Sequence, residues 1–305
     1  VNARCEKKLR GCHPWIYANE ITGKPAGLAD VAVVTVTGPS GALLGTAYWN
    51  RHSLIQARLL DRESVEITEE FFVKKIAAAL ERRRRLYPEL RSFRLVYGES
   101  DGLPGLVVDR YEGLLVLELN TQGMYLFSNE ITAALAAVCK PETILLQNNS
   151  SALAYEGLAP ETVVLYGTEP QAVVIEEFGV KFLVDPVRGQ KTGFFMDQKE
   201  NRRRFGHLAA GKTCLDTFAY SGAWGLHALA QGAASCTFVD SSAEACDLVR
   251  ENLRLNGLAG EVIKANVFDY LRETADLPEA VVLDPPAYAK TKKNIPKSAK
   301  AYTDI

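Results

Sequence analysis

The chain has 305 residues, a formal net charge of −2, and 47% hydrophobic against 24% charged residues. Such a length exceeds one ordinary core and points to two or three domains. The near-neutral sum excludes a uniformly basic nucleic-acid binder but leaves local basic patches open. No apolar run reaches the length of a membrane span, and none near residue 1 resembles a signal peptide. The six cysteines, Cys5, Cys12, Cys139, Cys214, Cys236 and Cys246, are scattered without a C-x-x-C pair. A cytoplasmic protein with no metal and no membrane partner is therefore expected. Val1 is not Met, and the chain stops at Ile305 without a helix stop signal, so a piece of a longer protein is expected.

Residues 1–63 read as a small β-rich domain. Val31 to Val36 is β-branched, Gly38-Pro-Ser-Gly41 is a turn, Leu43 to Tyr48 returns, and Leu54 to Leu60 is a third strand. Arg10, His13, Trp15, Arg51 and His52 lie near its edges, and basic groups beside aromatics suit phosphate contact and base stacking. For Trp15 and Tyr17 taken singly, core packing is the stronger reading.

Residues 64–168 read as an α+β domain. Thr68 is placed to cap a helix with Glu69 and Glu70 in its first turn and Phe72, Ile76, Ala79 and Leu80 on one face. It ends in Arg82-Arg-Arg-Arg85 before Pro88. Those arginines suit an RNA backbone or a solvated helix end equally well. Strands Phe93 to Tyr97, Leu106 to Asp109 and Leu114 to Leu119 follow, then a helix from about Tyr125 to Cys139 and a strand from Thr143 to Leu146. The loop Gly98-Glu-Ser-Asp-Gly-Leu-Pro-Gly105 is tight, and its two acids either serve a site or, more commonly, cap turns.

Residues 169–305 open with a hairpin, Val173 to Val184, turning at Glu177-Phe-Gly179. A polar loop with Gln190, Lys191 and Thr192 then runs into Phe194-Phe195 and a helix carrying Asn201-Arg-Arg-Arg204. Its amide, ammonium and hydroxyl beside an apolar pair suit a charged, amphiphilic cofactor. Strands Cys214 to Thr217, Cys236 to Asp240, Val262 to Ala265 and Ala280 to Asp284 then alternate with helices Ala223 to Ala230, Ala243 to Leu255 and Val267 to Arg272. This alternation predicts a parallel sheet with helices on both faces.

The first strand of that repeat ends near Asp216 and the second at Asp240. Nucleosides bind at the carboxyl ends of such strands. A dinucleotide needs glycines where its pyrophosphate meets the helix, whereas Phe218-Ala-Tyr-Ser-Gly-Ala-Trp-Gly225 is bulky. S-adenosylmethionine has no phosphate, and its ammonium and sulfonium welcome Asp216. Asp240 is placed for the ribose hydroxyls, and Asn266 and Phe268 for the adenine. The competing reading, that Asp216 and Asp240 cap the next helices, is weaker for two acids at equivalent strand ends. Asp284-Pro285-Pro286 closes the fourth strand as a rigid loop able to hold a flipped base beside a methyl donor.

Taken with His13-Pro-Trp15, the Gly98 to Gly105 loop, Gly189-Gln-Lys-Thr-Gly193, Asp197-Gln198 and Val267-Phe268, these motifs run nearly end to end. In that order they resemble the bacterial large-subunit ribosomal RNA cytosine-C5 methyltransferases. The resemblance implies a PUA-like RNA-binding domain, a central α+β domain and a Rossmann-like methyltransferase domain, incomplete here. It also implies ribosomal RNA as partner and S-adenosylmethionine lined by Gln190, Lys191, Thr192, Phe218, Ser221, Asp240 and Asn266. Family members more often carry Asp where Asn266 stands. Asp284 and Pro285 are the catalytic candidates. The family's nucleophilic cysteine is expected beyond Ile305, since none of the six present is a good substitute. Lys290 to Lys300 would then be a flexible basic loop and the fragment inactive. A homodimer is compatible with the sequence. The rival readings are methylation of an exocyclic amine of adenine or guanine, which needs no cysteine, and a non-catalytic RNA-binding factor.

Overall fold

A computed structural model of the protein describes residues 1–24, 26–187, 189, 192–275, 277–289 and 294–303. The chain forms two compact units, one of Val1–Gln171 with Asp185–Gly193, the other of Ala172–Val184 with Phe194–Ile305.

The first unit begins with α1 (Ala3–Arg10) and an antiparallel sheet of β1 (Trp15–Ile16), β2 (Val31–Thr37), β3 (Leu43–Asn50) and β4 (Ala57–Asp61), in the order β1-β4-β3-β2. Cys5 and Leu9 of α1 pack on Ile16, Val36, Ala47 and Trp49. The long helix α2 (Glu69–Leu86) follows. Thr68 does occupy its N-cap, but its side chain makes no cap hydrogen bond; the Thr68 carbonyl takes the Phe72 N–H instead. A second sheet holds β5 (Phe93–Tyr97), β6 (Leu106–Tyr111), β7 (Leu114–Leu119), β8 (Thr143–Asn148) and β9 (Glu161–Gly167) in sequential order. Helices α3 (Gln122–Tyr125) and α4 (Ser128–Cys139) lie between β7 and β8.

The sequence predicts residues 1–63 and 64–168 as separate domains, yet both fall in one unit. Buried polar bonds join their sheets. The Tyr48 hydroxyl bonds the Pro104 carbonyl at 2.9 Å and Thr121 Oγ1 at 3.0 Å. Glu156 accepts from Arg58 at 2.9 Å, Ser53 at 2.7 Å and Asn50 at 3.1 Å.

The second unit starts with the hairpin β10 (Val173–Glu177) and β11 (Val180–Val184). Its two turn residues, Phe178 (φ 50°) and Gly179 (φ 85°), are both left-handed, the backbone that two-residue hairpin loops favour. Helix α5 (Lys199–Ala209) leads into β12 (Thr213–Thr217), α6 (Ala223–Ala230), β13 (Ser235–Asp240), α7 (Ala243–Asn256), β14 (Glu261–Lys264), α8 (Val267–Glu273) and β15 (Ala280–Leu283). The strands pair in parallel in the order β14-β13-β12-β15. After β14 the chain crosses to the other side of β12, so a topological switch point lies between β12 and β15.

Strand alternation sorts the core. Leu215 and Val239 face Val267 of α8. Cys236 and Phe238 face α6, and Gly225 is what lets that helix approach: a Cβ there would lie 2.3 Å from Phe238 Cε1 and 2.6 Å from Cys236 Sγ. The hairpin is fastened to α7, whose Asn256 and Asn252 side chains accept the Lys181 and Leu183 N–H groups at 2.8 Å each. Glu177 fastens it to α5 and α6 through Arg202, at 2.7 and 2.8 Å, and His227 at 3.0 Å. Burial opposes the Glu177 charge, but these partners hold its carboxyl below the usual range.

Residues 295–300 form the start of α9 (Ile295–Thr303), which corrects the expected loop there. Pro296 sits in its first turn, where the lost N–H has no intrahelical partner anyway. Lys290 to Lys293, like Gln190, Lys191 and Ile305, lie outside the described residues.

Gly225→Ala forces a methyl into the α6–sheet contact. Overpacking of this kind costs about 1–3 kcal/mol. A clear fall in the thermal midpoint is expected in scanning calorimetry, and an unchanged midpoint contradicts the packing described.

Candidate functional site at the switch point

The ends of β12, β13 and β15 bring Asp216, Asp240 and Asp284 to one end of the parallel sheet. Asp216 is the buried member, 1% exposed. Its Oδ2 accepts the Gly225 N–H at 2.9 Å, in the first turn of α6. Its Oδ1 is buried without a hydrogen-bond partner among the described residues. Burial pushes the carboxyl up to about 7; Asp284 and Asp240 add to the rise, while the Gly225 N–H and the Arg202 guanidinium favour ionisation.

Asp240 is half-buried and bound on both oxygens, by the Tyr220 N–H at Oδ2 and the Ser242 N–H at Oδ1, each at 2.9 Å. Ser242, not Asp240, caps α7. Capping and site roles are thus less separable than the sequence suggests: Asp216 does bond the next helix, yet retains an unpartnered oxygen. Each Asp240 oxygen keeps lone-pair capacity for a further donor.

The loop between them has an unusual backbone. Phe218 (φ 54°), Tyr220 (φ 48°) and Gly222 (φ 69°) alternate as left-handed residues. For bulky side chains this conformation costs of order 1–3 kcal/mol and clusters at functional sites. Tyr220 packs its edge on Phe195 at 5.7 Å, and Phe218 meets Phe268 at 6.4 Å. Ser221 is buried and its carbonyl accepts from Asn252 at 2.9 Å. Asn266 caps α8, its Oδ1 accepting the Phe268 N–H at 2.9 Å. Asp284 is exposed, with Oδ2 3.3 Å from the Trp224 indole nitrogen, and Pro285 is half-buried. Tyr288 continues the ring series, 6.1 Å from Phe268 and 5.0 Å from Tyr302.

Thr192 belongs to the first unit, where its hydroxyl donates to Asp109 Oδ2 at 2.6 Å and bonds the Tyr111 hydroxyl at 2.9 Å. Asp109 also pairs with Arg94 at 2.8 Å, so Thr192 serves a buried network.

The other sequence candidates in the first unit also take structural partners. Asp101 binds Arg82 and Arg83 and accepts the Tyr97 N–H, and Glu99 accepts the Trp15 indole N–H. The Gly98–Gly105 acids and half of the arginine run are thereby committed to one another or to Trp15. Arg10 pairs with Glu6, and Arg51 and His52 with Asp30, while remaining exposed.

A PUA-like domain matches residues 1–62, and the family described as conserved hypothetical protein 95 matches residues 191–301. A protein of Shewanella denitrificans named ribosomal RNA large subunit methyltransferase I is 36% identical over 312 residues, spanning 98% of this chain and 78% of its own length. The protein of that name from Shewanella amazonensis is 37% identical over 314 residues, with the same shares. That from Pseudoalteromonas translucida is 35% identical over 318 residues, 100% of this chain and 80% of its own. The chain belongs to the ribosomal RNA large subunit methyltransferase I family. A solved structure described as a methyltransferase complexed with SAH shares its fold, with a TM-score of 0.82 and 24% identity over 96% of this chain and 77% of that one. So does one described as a SAM-dependent methyltransferase from Streptococcus mutans, with a TM-score of 0.80 and 22% identity over 99% and 82%.

Three site features of this family member escape the sequence reading: the left-handed Phe218 and Tyr220, the Trp224–Asp284 bond, and the Tyr288–Tyr302 contact. Glycine would have signalled the first; aromatic residues do not. The other two join positions distant in sequence or in a segment expected to be loop.

The raised Asp216 carboxyl has a pH signature. Its folded value, about 7, lies above its ordinary 3.8. Below the lower value both states hold the proton and the group is neutral to stability. Between the two values only the folded state holds it, so stability falls as pH rises, then levels above about 7. Asp216→Asn should remove that slope. Parallel melting-temperature profiles for the two ligand-free proteins across this window contradict the assignment.

Proposed function

We propose that this protein is an S-adenosylmethionine-dependent methyltransferase of large-subunit ribosomal RNA that modifies C5 of cytosine. The observation that carries the cofactor reading is the buried, half-satisfied Asp216 at the switch point, with Asp240 and Asp284 adding to its field. A buried carboxyl with an unpartnered oxygen suits a cation. A dinucleotide would bring a diphosphate to this acidic end, against the charge already there.

S-adenosylmethionine supplies an electrophilic methyl group on a sulfonium. Asp216 would take the cationic end of the cofactor through Oδ1. Asp240, pinned by two backbone N–H groups, would offer its remaining lone pairs to the ribose hydroxyls. Asn266, whose Oδ1 caps α8, would use its amide nitrogen as a donor toward the adenine, with Phe268 as the ring beside it. The left-handed Phe218–Gly222 loop would line the same site. Asp284 and Pro285, on a loop stiffened by two prolines, would hold the target base.

Ribosomal RNA as substrate is supported by the names of the relatives and by the PUA-like match. In this first domain the exposed Arg10, His13, Arg51 and His52 are placed for phosphate contact. C5 of cytosine is a poor nucleophile until a thiolate adds to C6. Cys5, Cys139, Cys214, Cys236 and Cys246 are buried, and burial raises the pKa of each thiol, which suits packing, not attack. The C5 reading therefore takes its nucleophile from none of these five buried thiols.

The test incubates the full-length protein with methyl-labelled S-adenosylmethionine and unmodified large-subunit RNA, followed by nucleoside analysis. Label on C5 of a cytosine is the expected result. Label only on an exocyclic amine, or no transfer, overturns the proposal.

A further inference from the structure

Turn residues of this chain share a local way of fixing their side chains. Asn50, Asp61, Asp185, Asp240 and Asn266 each accept the backbone N–H two residues ahead, at 3.0, 3.2, 2.9, 2.9 and 2.9 Å. This turn ties a carboxylate or amide to its own loop.

Asp284 cannot use it. Residues 285 and 286 are both proline, and proline has no N–H to give. The same two rings that stiffen the backbone thus leave the carboxylate without a local anchor. Among the described residues its side-chain partner is the indole Nε1–H of Trp224, which donates to Oδ2 at 3.3 Å across 60 positions of sequence. Trp224 is itself held. It lies in the first turn of α6, half-buried, with Phe205 of α5 edge-on at 6.0 Å. The next residue, Gly225, is the one whose N–H binds Asp216. One turn of α6 therefore grips the buried acid with its backbone and the exposed acid with a side chain.

We propose that Trp224 is a positioning residue for methyl transfer: its indole N–H fixes the Asp284 carboxylate, which Pro285 and Pro286 leave without a backbone anchor. The indole occupies Oδ2 and leaves Oδ1 for the target base. This rests on the reading that Asp284 holds that base. Phenylalanine at 224 keeps a ring against Phe205 and deletes only the donor, so it separates positioning from packing.

The experiment compares full-length wild type, Trp224→Phe, Asp284→Ala and the double variant on large-subunit RNA. Single-turnover rates with enzyme in excess are read beside affinities for S-adenosylmethionine and RNA. Misplacing a group at the reacting centre by a fraction of an ångström to one ångström is worth about tenfold or more in rate. Trp224→Phe should therefore slow transfer about tenfold and leave both affinities within about twofold. In the Asp284→Ala background, which has no side-chain acceptor for the indole, the same change should add nothing, because the two residues act as one unit. Three results overturn the proposal: a wild-type rate for Trp224→Phe, an equal loss in both backgrounds, or a loss that resides in cofactor affinity. If Asp284→Ala itself transfers methyl at the wild-type rate, the base-holding role of Asp284 fails and takes the proposal with it. An impaired Asp284→Ala with an additive Trp224→Phe sinks the positioning role alone.

Discussion

A carboxyl group at the end of a central strand, out of reach of water, must be hydrogen-bonded, paired or protonated, and Asp216 meets that constraint only in part. One oxygen has the Gly225 N–H; the other has nothing among the described residues. Much of the second unit is arranged around this. Gly225 lets α6 come close enough to donate, because a larger residue would strike Phe238 and Cys236. The left-handed Phe218–Gly222 loop carries the chain from β12 into that helix within a few residues. The crossover to β15 sets Asp284 beside it, and β13 sets Asp240 on the other side. Two further negative charges near a buried acid raise the cost of its ionisation, which a cationic ligand would offset.

The parallel sheet was the most legible part of the sequence. Apolar runs ending in acids, alternating with amphipathic segments, locate α6 to the residue and β12 to β15 within a residue or two of their observed ends. Periodicity works there because β12 and β13 are largely buried and α6 and α7 pack buried residues on the sheet. It works less well at the margins. Helix α1 offers only Cys5 and Leu9 in eight residues, too few to show a period. The loop expected over Lys290 to Lys300 overlaps the start of α9, where Ile295 and Pro296 suit a helix start. Strand β9, at the edge of its sheet, has no buried residue and shows no clear alternation in the sequence.

The site was legible by type more than by geometry. Asp216, Phe218, Ser221, Asp240, Asn266, Phe268 and Asp284 do lie in one unit. Which oxygen of Asp216 is unpartnered, and that both oxygens of Asp240 carry backbone bonds, depends on turns that the sequence does not encode locally. Thr192 shows the opposite case. Its polar neighbourhood in sequence suggests a cofactor loop, whereas its hydroxyl is enclosed between Asp109 and Tyr111, more than 80 residues away. The acids of the Gly98–Gly105 loop likewise have partners in the fold, buried Asp101 on two arginines and exposed Glu99 on an indole. Residue type alone does not separate a polar side chain that serves a ligand from one that serves the fold. The separation comes from counting partners.

The proposal that Asp216, its carboxyl raised to about 7, meets the cationic end of the cofactor is tested most directly by calorimetric titration of the full-length protein with S-adenosylmethionine at pH 6, in buffers of different ionisation enthalpy. There the ligand-free carboxyl, raised to about 7, is mostly protonated. Binding should release about one proton, and Asp216→Asn should abolish that release. Tight binding with no proton released by the wild-type protein would contradict the account.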